Sequence, residues 1–102
     1  MKLSLVIPCF NEEKNLPFLF EKLDKFLLNS NCEVILVNNG SIDNTCDLLK
    51  KYKKKHINVK YITLKKNIGY GNGIIRGLET ATGEILAWTH ADMQTDPNDV
   101  IK

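Results

Sequence analysis

Cysteine is scarce and scattered in this chain. Cys9, Cys32 and Cys46 are odd in number and form no C-x-x-C pair. That argues against a disulfide framework and against a structural zinc site, and makes a reducing, cytoplasmic setting the expectation. No apolar run approaches the ~20 residues needed to span a membrane. The opening stretch from Met1 to Pro8 does not read as a signal peptide, because its apolar part is short and Glu12-Glu13 follow soon after. Excess charge is lacking too. Fourteen basic residues against twelve acidic ones leave +2, too little to point to a nucleic-acid partner. A Walker sequence is absent, which excludes a P-loop ATPase. Gly71, Gly73 and Gly77 miss the G-x-G-x-x-G spacing and follow the third apolar run rather than the first, which argues against a nicotinamide-binding fold. Close backbone packing or an anion-accepting helix start accounts for these glycines better.

What is present is a chain of 102 residues, 43% hydrophobic, enough for one globular domain and not for two. Leu3-Ser4-Leu5-Val6-Ile7, Val34-Ile35-Leu36-Val37, Val59 to Leu64 and Glu84 to Thr89 read as strands, the last carrying Trp88 as a core residue. Leu16, Leu19, Leu23, Phe26 and Leu27 recur at helical spacing behind Asn15 as N-cap, with Pro17 tolerated in the first turn. A second helix is expected over roughly 44–55, with Ser41 and Asp43 as caps and Ile42, Cys46 and Leu49 on its apolar side. A third is expected from near Gly71, closed by Thr82-Gly83. The resulting order is β-α-β-α-β-α-β. Such alternation predicts an α/β fold with a parallel sheet covered by helices. Ligands of parallel sheets bind outside the carboxyl ends of the strands. Three polar clusters fall there: Cys9 to Glu13, Asn38 to Asp43, and His90 to Asp96.

Each cluster suits a particular chemistry. Asp92 and Gln94 offer a carboxylate and an amide oxygen two residues apart, a donor pair for Mg2+ or Mn2+ held jointly with a diphosphate. His90 fits either as a third ligand, better for Mn2+, or as a donor to a phosphate. Asp92 also fits as the cap of a polar turn. Phe10 offers a flat apolar surface for a nucleobase, Asn39 a partner for its hydrogen-bonding edge, and Glu12 an acceptor for ribose or base. Taken singly, these three residues read first as a core aromatic, a turn-forming Asn and a first-turn Glu favoured by the helix dipole. The basic run Lys50-Lys51-Tyr52-Lys53-Lys54-Lys55 complements the dipole of the second helix on a solvated face, or attracts anionic lipid headgroups. His56 is expected at the surface.

Taken together, three segments resemble a family 2 glycosyltransferase with the Rossmann-like GT-A nucleotide-diphospho-sugar transferase fold. They are Val6-Ile7-Pro8-Cys9-Phe10-Asn11-Glu12-Glu13, Val37-Asn38-Asn39-Gly40-Ser41-Ile42-Asp43-Asn44-Thr45, and His90-Ala91-Asp92-Met93-Gln94. Asn67-x-Gly69 and the Gly71 to Gly83 stretch match the connecting region. The Gly-Tyr-Gly-Asn-Gly segment and the Asn-Glu-Glu start are most similar to the polyprenyl-phosphate sugar transferase branch, which includes dolichol-phosphate mannose synthase. The resemblance implies a UDP- or GDP-sugar donor. Pro8, Phe10, Asn11, Glu12, Val37 and Asn39 would line the nucleoside pocket, with His90 and Ala91 beside the diphosphate and sugar. Asp92 and Gln94 would hold Mg2+ or Mn2+. It further implies hexosyl transfer with inversion to a polyprenyl phosphate or a cell-envelope glycan precursor, in a full-length protein at the inner face of the membrane.

Two departures from the family pattern stand out. Asn38-Asn39 occupies the place of the usual Asp-Asp, which puts base preference in question. His90-Ala91-Asp92 replaces Asp-x-Asp, keeping the metal-side carboxylate and losing the other. Asp96-Pro97 reads as the start of a helix, yet five residues follow Pro97, so the native chain is expected to continue. Residues 1–102 are then expected to be a donor-binding half that does not turn over alone, and no catalytic base is named. A non-catalytic nucleotide-sugar-binding module is the alternative. A receiver or flavodoxin-like domain would place acidic residues after the first strand, where Pro8-Cys9-Phe10-Asn11 stands.

Overall fold

The computed structural model describes residues 3–29, 31–83 and 85–88, with the side chains of 29, 70 and 85–88 left aside. The elements are β1 (Leu3–Cys9), α1 (Leu16–Asn29), β2 (Cys32–Asn39), α2 (Thr45–Lys55), β3 (Val59–Leu64), α3 (Tyr70–Leu78) and β4 (Ile85–Trp88). The expected alternation is therefore observed. The sheet has four strands in the order β3-β2-β1-β4, and every pairing is parallel.

β1 and β2 lie inside the sheet and are covered on both faces. That is why they are continuous apolar runs rather than alternating ones. Successive residues still serve opposite faces. Leu5, Ile7, Cys9, Val34 and Leu36 pack with Leu16, Leu19, Leu23 and Phe26 of α1 and Leu49 and Tyr52 of α2. Val6, Ile35 and Val37 face the other way, against Leu78 and Ala81. α3 approaches β1 and β2 closely there. A Cβ on Gly77 would collide with Val6 and would stand 2.9 Å from Val37 Cγ2.

The chain steps outward from β1 to β3 and then returns to the far side of β1. Two helices thus cover one face and the third covers the other. The reversal beside β1 is the kind of switch point at which open parallel sheets bind ligands.

A buried polar network closes the amino-terminal end of the sheet. The Glu33 carboxylate, 3% exposed, accepts hydrogen bonds from the Ser4 hydroxyl (2.7 Å), the Thr82 amide (2.6 Å) and the Thr82 hydroxyl (3.0 Å), and pairs with Lys60 Nζ at 3.0 Å. Gly83 N–H donates to the Ser4 hydroxyl. This network explains a departure from expectation. α3 ends at Leu78, and Thr82-Gly83 does not close it, because those two residues anchor the entry to β4 on β1 and β2 instead.

Ile42 departs too. It is 90% exposed rather than on the apolar side of α2. Neither expected cap holds the N-cap position of α2, which is Asn44: Asp43 lies one residue earlier and its Oδ1 accepts the Thr45 N–H at 2.9 Å, whereas Ser41 is engaged elsewhere. His56, expected at the surface, is half-buried and packs against Tyr52 with ring centroids 4.4 Å apart and planes tilted by 39°. The assignments of Trp88 to the core and of Asp96-Pro97 to a helix start lie outside what is described.

Candidate functional site

The carboxyl ends of β1 and β2 are stitched into one rim. Asn11 follows β1 in a left-handed conformation (φ 51°), which Asn tolerates better than most residues. Its N–H donates to the Ser41 hydroxyl at 3.0 Å, and its Oδ1 accepts the Ile42 N–H at 2.9 Å. The next two amides reach across the same gap. Glu12 N–H donates to the Thr45 hydroxyl (2.9 Å), and Glu13 N–H to Asp43 Oδ2 (3.4 Å). Asn38 supports the far side by accepting the Ser41 N–H at 3.1 Å. Each bond joins the β1–α1 loop to the β2–α2 loop or stiffens the latter.

Gly40 completes the turn at positive φ, where a Cβ would run into the backbone of Lys66 and Asn67. The segment after β3 is thereby pressed against the rim. Asn39 holds that segment. Its Oδ1 accepts the Ile68 N–H and its Nδ2 donates to the Gly69 carbonyl, both at 3.0 Å.

The expected nucleoside-pocket residues occupy distinct levels of this rim. Phe10 is 44% exposed, an uncovered ring at the top. Asn11 is exposed, and Glu12 is half-buried with its carboxylate accepting the Asn15 side-chain amide at 2.8 Å. Pro8 and Val37 pair in register beneath and are buried. Asn39, expected to offer an amide to a base, is instead 2% exposed, with both ends of that amide bonded to the β3–α3 loop.

His90, Ala91, Asp92 and Gln94 lie outside the described residues. β4 ends at Trp88, alongside Val6. Among the described residues no group of three His, Cys, Asp or Glu side chains is placed to hold a metal ion.

Electrostatics separate structural from chemical roles at the rim. Burial, with the Glu12 charge added, pushes the Cys9 thiol far above its ordinary 9.0. Cys9 is thus held as a neutral, fully buried thiol that packs in the core. Burial alone would raise the Asp43 carboxyl, but hydrogen bonds from Thr45, Glu13 and its own amide outweigh it and lower the pKa, so Asp43 holds the rim as an anion. Asp43 and Thr45 were visible in the sequence as a helix start. Their second task, receiving amides from residues some thirty positions earlier, was not.

A model of the family described as "Glycosyl transferase family 2" matches residues 4–102. The chain belongs to glycosyl transferase family 2. Among curated relatives, it is 34% identical over 102 residues to a dolichol-phosphate mannosyltransferase of Pyrococcus furiosus, covering 100% of this chain and 29% of the relative. It is 36% identical to an undecaprenyl-phosphate 4-deoxy-4-formamido-L-arabinose transferase of Proteus mirabilis, covering 97% and 31%. Among solved structures, S. aureus TarS in complex with UDP superposes with a TM-score of 0.79 at 31% identity, over 90% of this chain and 28% of that one. The mannosyltransferase PcManGT of Pyrobaculum calidifontis, in complex with GDP-Man and Mn2+, gives 0.75 at 26%, over 88% and 27%. The fold is thus that of part of a GT-A glycosyltransferase, as expected. The chain spans less than a third of the length of these relatives.

Proposed function

We propose that this family 2 chain is the donor-binding part of a glycosyltransferase that moves a hexosyl unit from a UDP- or GDP-sugar to a polyprenyl phosphate. The observation that carries the reading is the stitched rim. Four hydrogen bonds tie Asn11, Glu12 and Glu13 after β1 to the β2–α2 turn and the first residue of α2 at the carboxyl edge of the sheet, and leave the Phe10 ring open above them. A prearranged rim of this kind binds a nucleoside without first ordering its loops, which lowers the entropic cost of association.

In this reading Phe10 stacks on the base, Asn11 and Glu12 face the ribose, and Pro8 and Val37 form the apolar floor. Asn39 shapes the pocket through the loop it holds. His90 and Ala91 lie along the diphosphate and sugar. Asp92 and Gln94, both oxygen donors, would hold Mg2+ or Mn2+, which supplies positive charge to the departing nucleoside diphosphate. The UDP of TarS and the GDP-Man and Mn2+ of PcManGT support the donor class and the divalent cation. The prenyl-phosphate relatives support the acceptor, and with it a working position at the inner face of a membrane. No described helix is long and apolar enough to cross a membrane.

Nucleotide binding by the full-length protein tests this directly. Mn2+ or Mg2+ should enhance the thermal shift given by UDP or GDP, and Asp92→Ala should abolish the enhancement. Sugar transfer to undecaprenyl phosphate should fall at least 100-fold in the same variant. Nucleotide binding indifferent to both metal and Asp92, without transfer, would instead identify a non-catalytic binding module.

A further inference from the structure

At the amino-terminal end of the sheet, side chains from three strands converge on the connection between α3 and β4. Ser4 of β1 and Glu33 of β2 are register partners, and Lys60 lies on β3. The Thr80 carbonyl accepts from Lys60 Nζ at 3.3 Å. The Thr82 N–H and hydroxyl both donate to Glu33 Oε1, at 2.6 and 3.0 Å, and the Gly83 N–H donates to the Ser4 hydroxyl at 2.7 Å. Ser4 and Lys60 in turn meet the Glu33 carboxylate at 2.7 and 3.0 Å. No tight turn fixes the register of β4, because it is reached from β3 through α3. It pairs with β1 over four positions, from Leu3↔Ile85 to Val6↔Trp88. A two-residue slip would keep every side chain on its face and move the strand by about 6.6 Å. A carboxylate 3% exposed is a costly group to bury, and fixing register is the best-attested use of such a group.

We propose that Glu33 is a positioning residue for the donor site: with Ser4 and Lys60 it latches the α3–β4 connection, sets the register of β4 on β1, and so fixes the level at which the chain leaves Trp88 towards Asp92. The inference rests on the donor-site reading above, in which Asp92 and Gln94 hold the metal. Glu33 touches neither nucleotide nor metal, since it lies near the start of β2 and the rim lies beyond its end. The bonds that tie Asn11, Glu12 and Glu13 to the β2–α2 turn do not involve β4. Releasing the latch therefore weakens what the metal adds to nucleotide binding and spares what the rim supplies without metal.

The test uses the full-length protein with Glu33→Leu, which removes every acceptor, and Ser4→Ala, a milder change that keeps the proposal testable if Glu33→Leu does not fold. Tyr52→Phe, on the other face of the sheet, controls for a general loss of stability. Amide hydrogen exchange at Thr82 and Gly83 should accelerate roughly tenfold or more in Glu33→Leu, and at Gly83 in Ser4→Ala. The Mn2+ concentration that gives half of the metal's enhancement of UDP or GDP binding should rise about fivefold or more in Glu33→Leu and by a smaller factor in Ser4→Ala. Affinity without metal should stay within about twofold of wild type in both. Tyr52→Phe should change neither the Mn2+ requirement nor exchange at Thr82 and Gly83. Unchanged exchange at Thr82 and Gly83 would overturn the latch. Faster exchange with an unchanged Mn2+ requirement, or an equal loss of affinity with and without metal, would overturn the positioning role. A wild type whose nucleotide binding ignores Mn2+ would defeat the donor-site reading itself, a failure that the exchange result keeps distinct from failure of the latch.

Discussion

The side-chain oxygen of Asn11 accepts the backbone N–H of Ile42 at 2.9 Å, joining two loops whose sequence positions are 31 apart. Asn11 adopts φ 51° to do so. Asn11→Ala loses the bond and places a Cβ-bearing residue without Asn's local compensation in the left-handed region, and should cost about 1–3 kcal/mol. Asn11→Gly restores the backbone freedom and loses only the bond, so it should cost less than Ala. Urea unfolding of the two variants checks the order. Equal losses would show that the backbone conformation carries no share.

Glu33 makes stability depend on acid. Burial alone would raise its pKa, but donors from Thr82, Ser4 and Lys60 prevail and bring it from the ordinary 4.5 to about 2. Because the folded value is the lower one, the stabilisation is complete above the unfolded value near 4.5 and disappears as pH falls through about 2. Its size is on the order of 3 kcal/mol. Glu33→Gln should lose about 2–3 kcal/mol at pH 7 and flatten the pH dependence between pH 5 and pH 2. Urea midpoints measured across that range give the comparison.

The glycines of α3 should respond in opposite directions. Gly77→Ala drives a methyl into Val6 and Val37 of the sheet, and overpacking should outweigh the better helix propensity for a net loss of about 1–2 kcal/mol. Gly71 has open space around its would-be Cβ and lies within the same helix, so Gly71→Ala should stabilise by up to about 1 kcal/mol. Thermal melts of the two single variants decide it.

The strands were legible in the sequence because both faces of β1 and β2 are covered, so burial writes itself as unbroken runs such as Leu5-Val6-Ile7 and Val34-Ile35-Leu36-Val37. The rim was legible as polar clusters at strand ends. Its wiring was not. The partners of Asn39 lie at Ile68 and Gly69, and nothing local tells an Asn that faces a ligand from one that grips a distant loop. Gly83 misled for a related reason. It resembles a helix terminator, yet its amide belongs to the Ser4–Glu33 network. Tyr52 was hidden inside a lysine run. It stacks on Phe20 with ring centroids 4.1 Å apart and donates to Asp24 at 2.7 Å.

That tyrosine gives an alkaline test. Burial and then Asp24 raise its hydroxyl pKa well above the ordinary 10.0, so its stabilisation is complete below that value and decays as pH rises beyond it. Tyr52→Phe keeps the stacking and loses the bond to Asp24, at a cost of about 1 kcal/mol at pH 7. The variant should lack the wild type's extra loss of stability above pH 10. Denaturation at pH 7 and at pH 10.5 measures both effects.

The central claim is that an activated sugar's nucleotide binds the carboxyl edge of the sheet. The described residues also form an open surface pocket of about 260 Å³ at the opposite end, lined by Asp24, Leu28, Lys55, His56 and Ile57 among others. Peptide-resolved hydrogen exchange of the full-length protein, with and without UDP or GDP plus Mn2+, distinguishes the two ends. Added nucleotide should protect residues 8–13 and 38–45 and leave 24–28 and 55–58 unchanged. Protection confined to 24–28 and 55–58 would contradict the account.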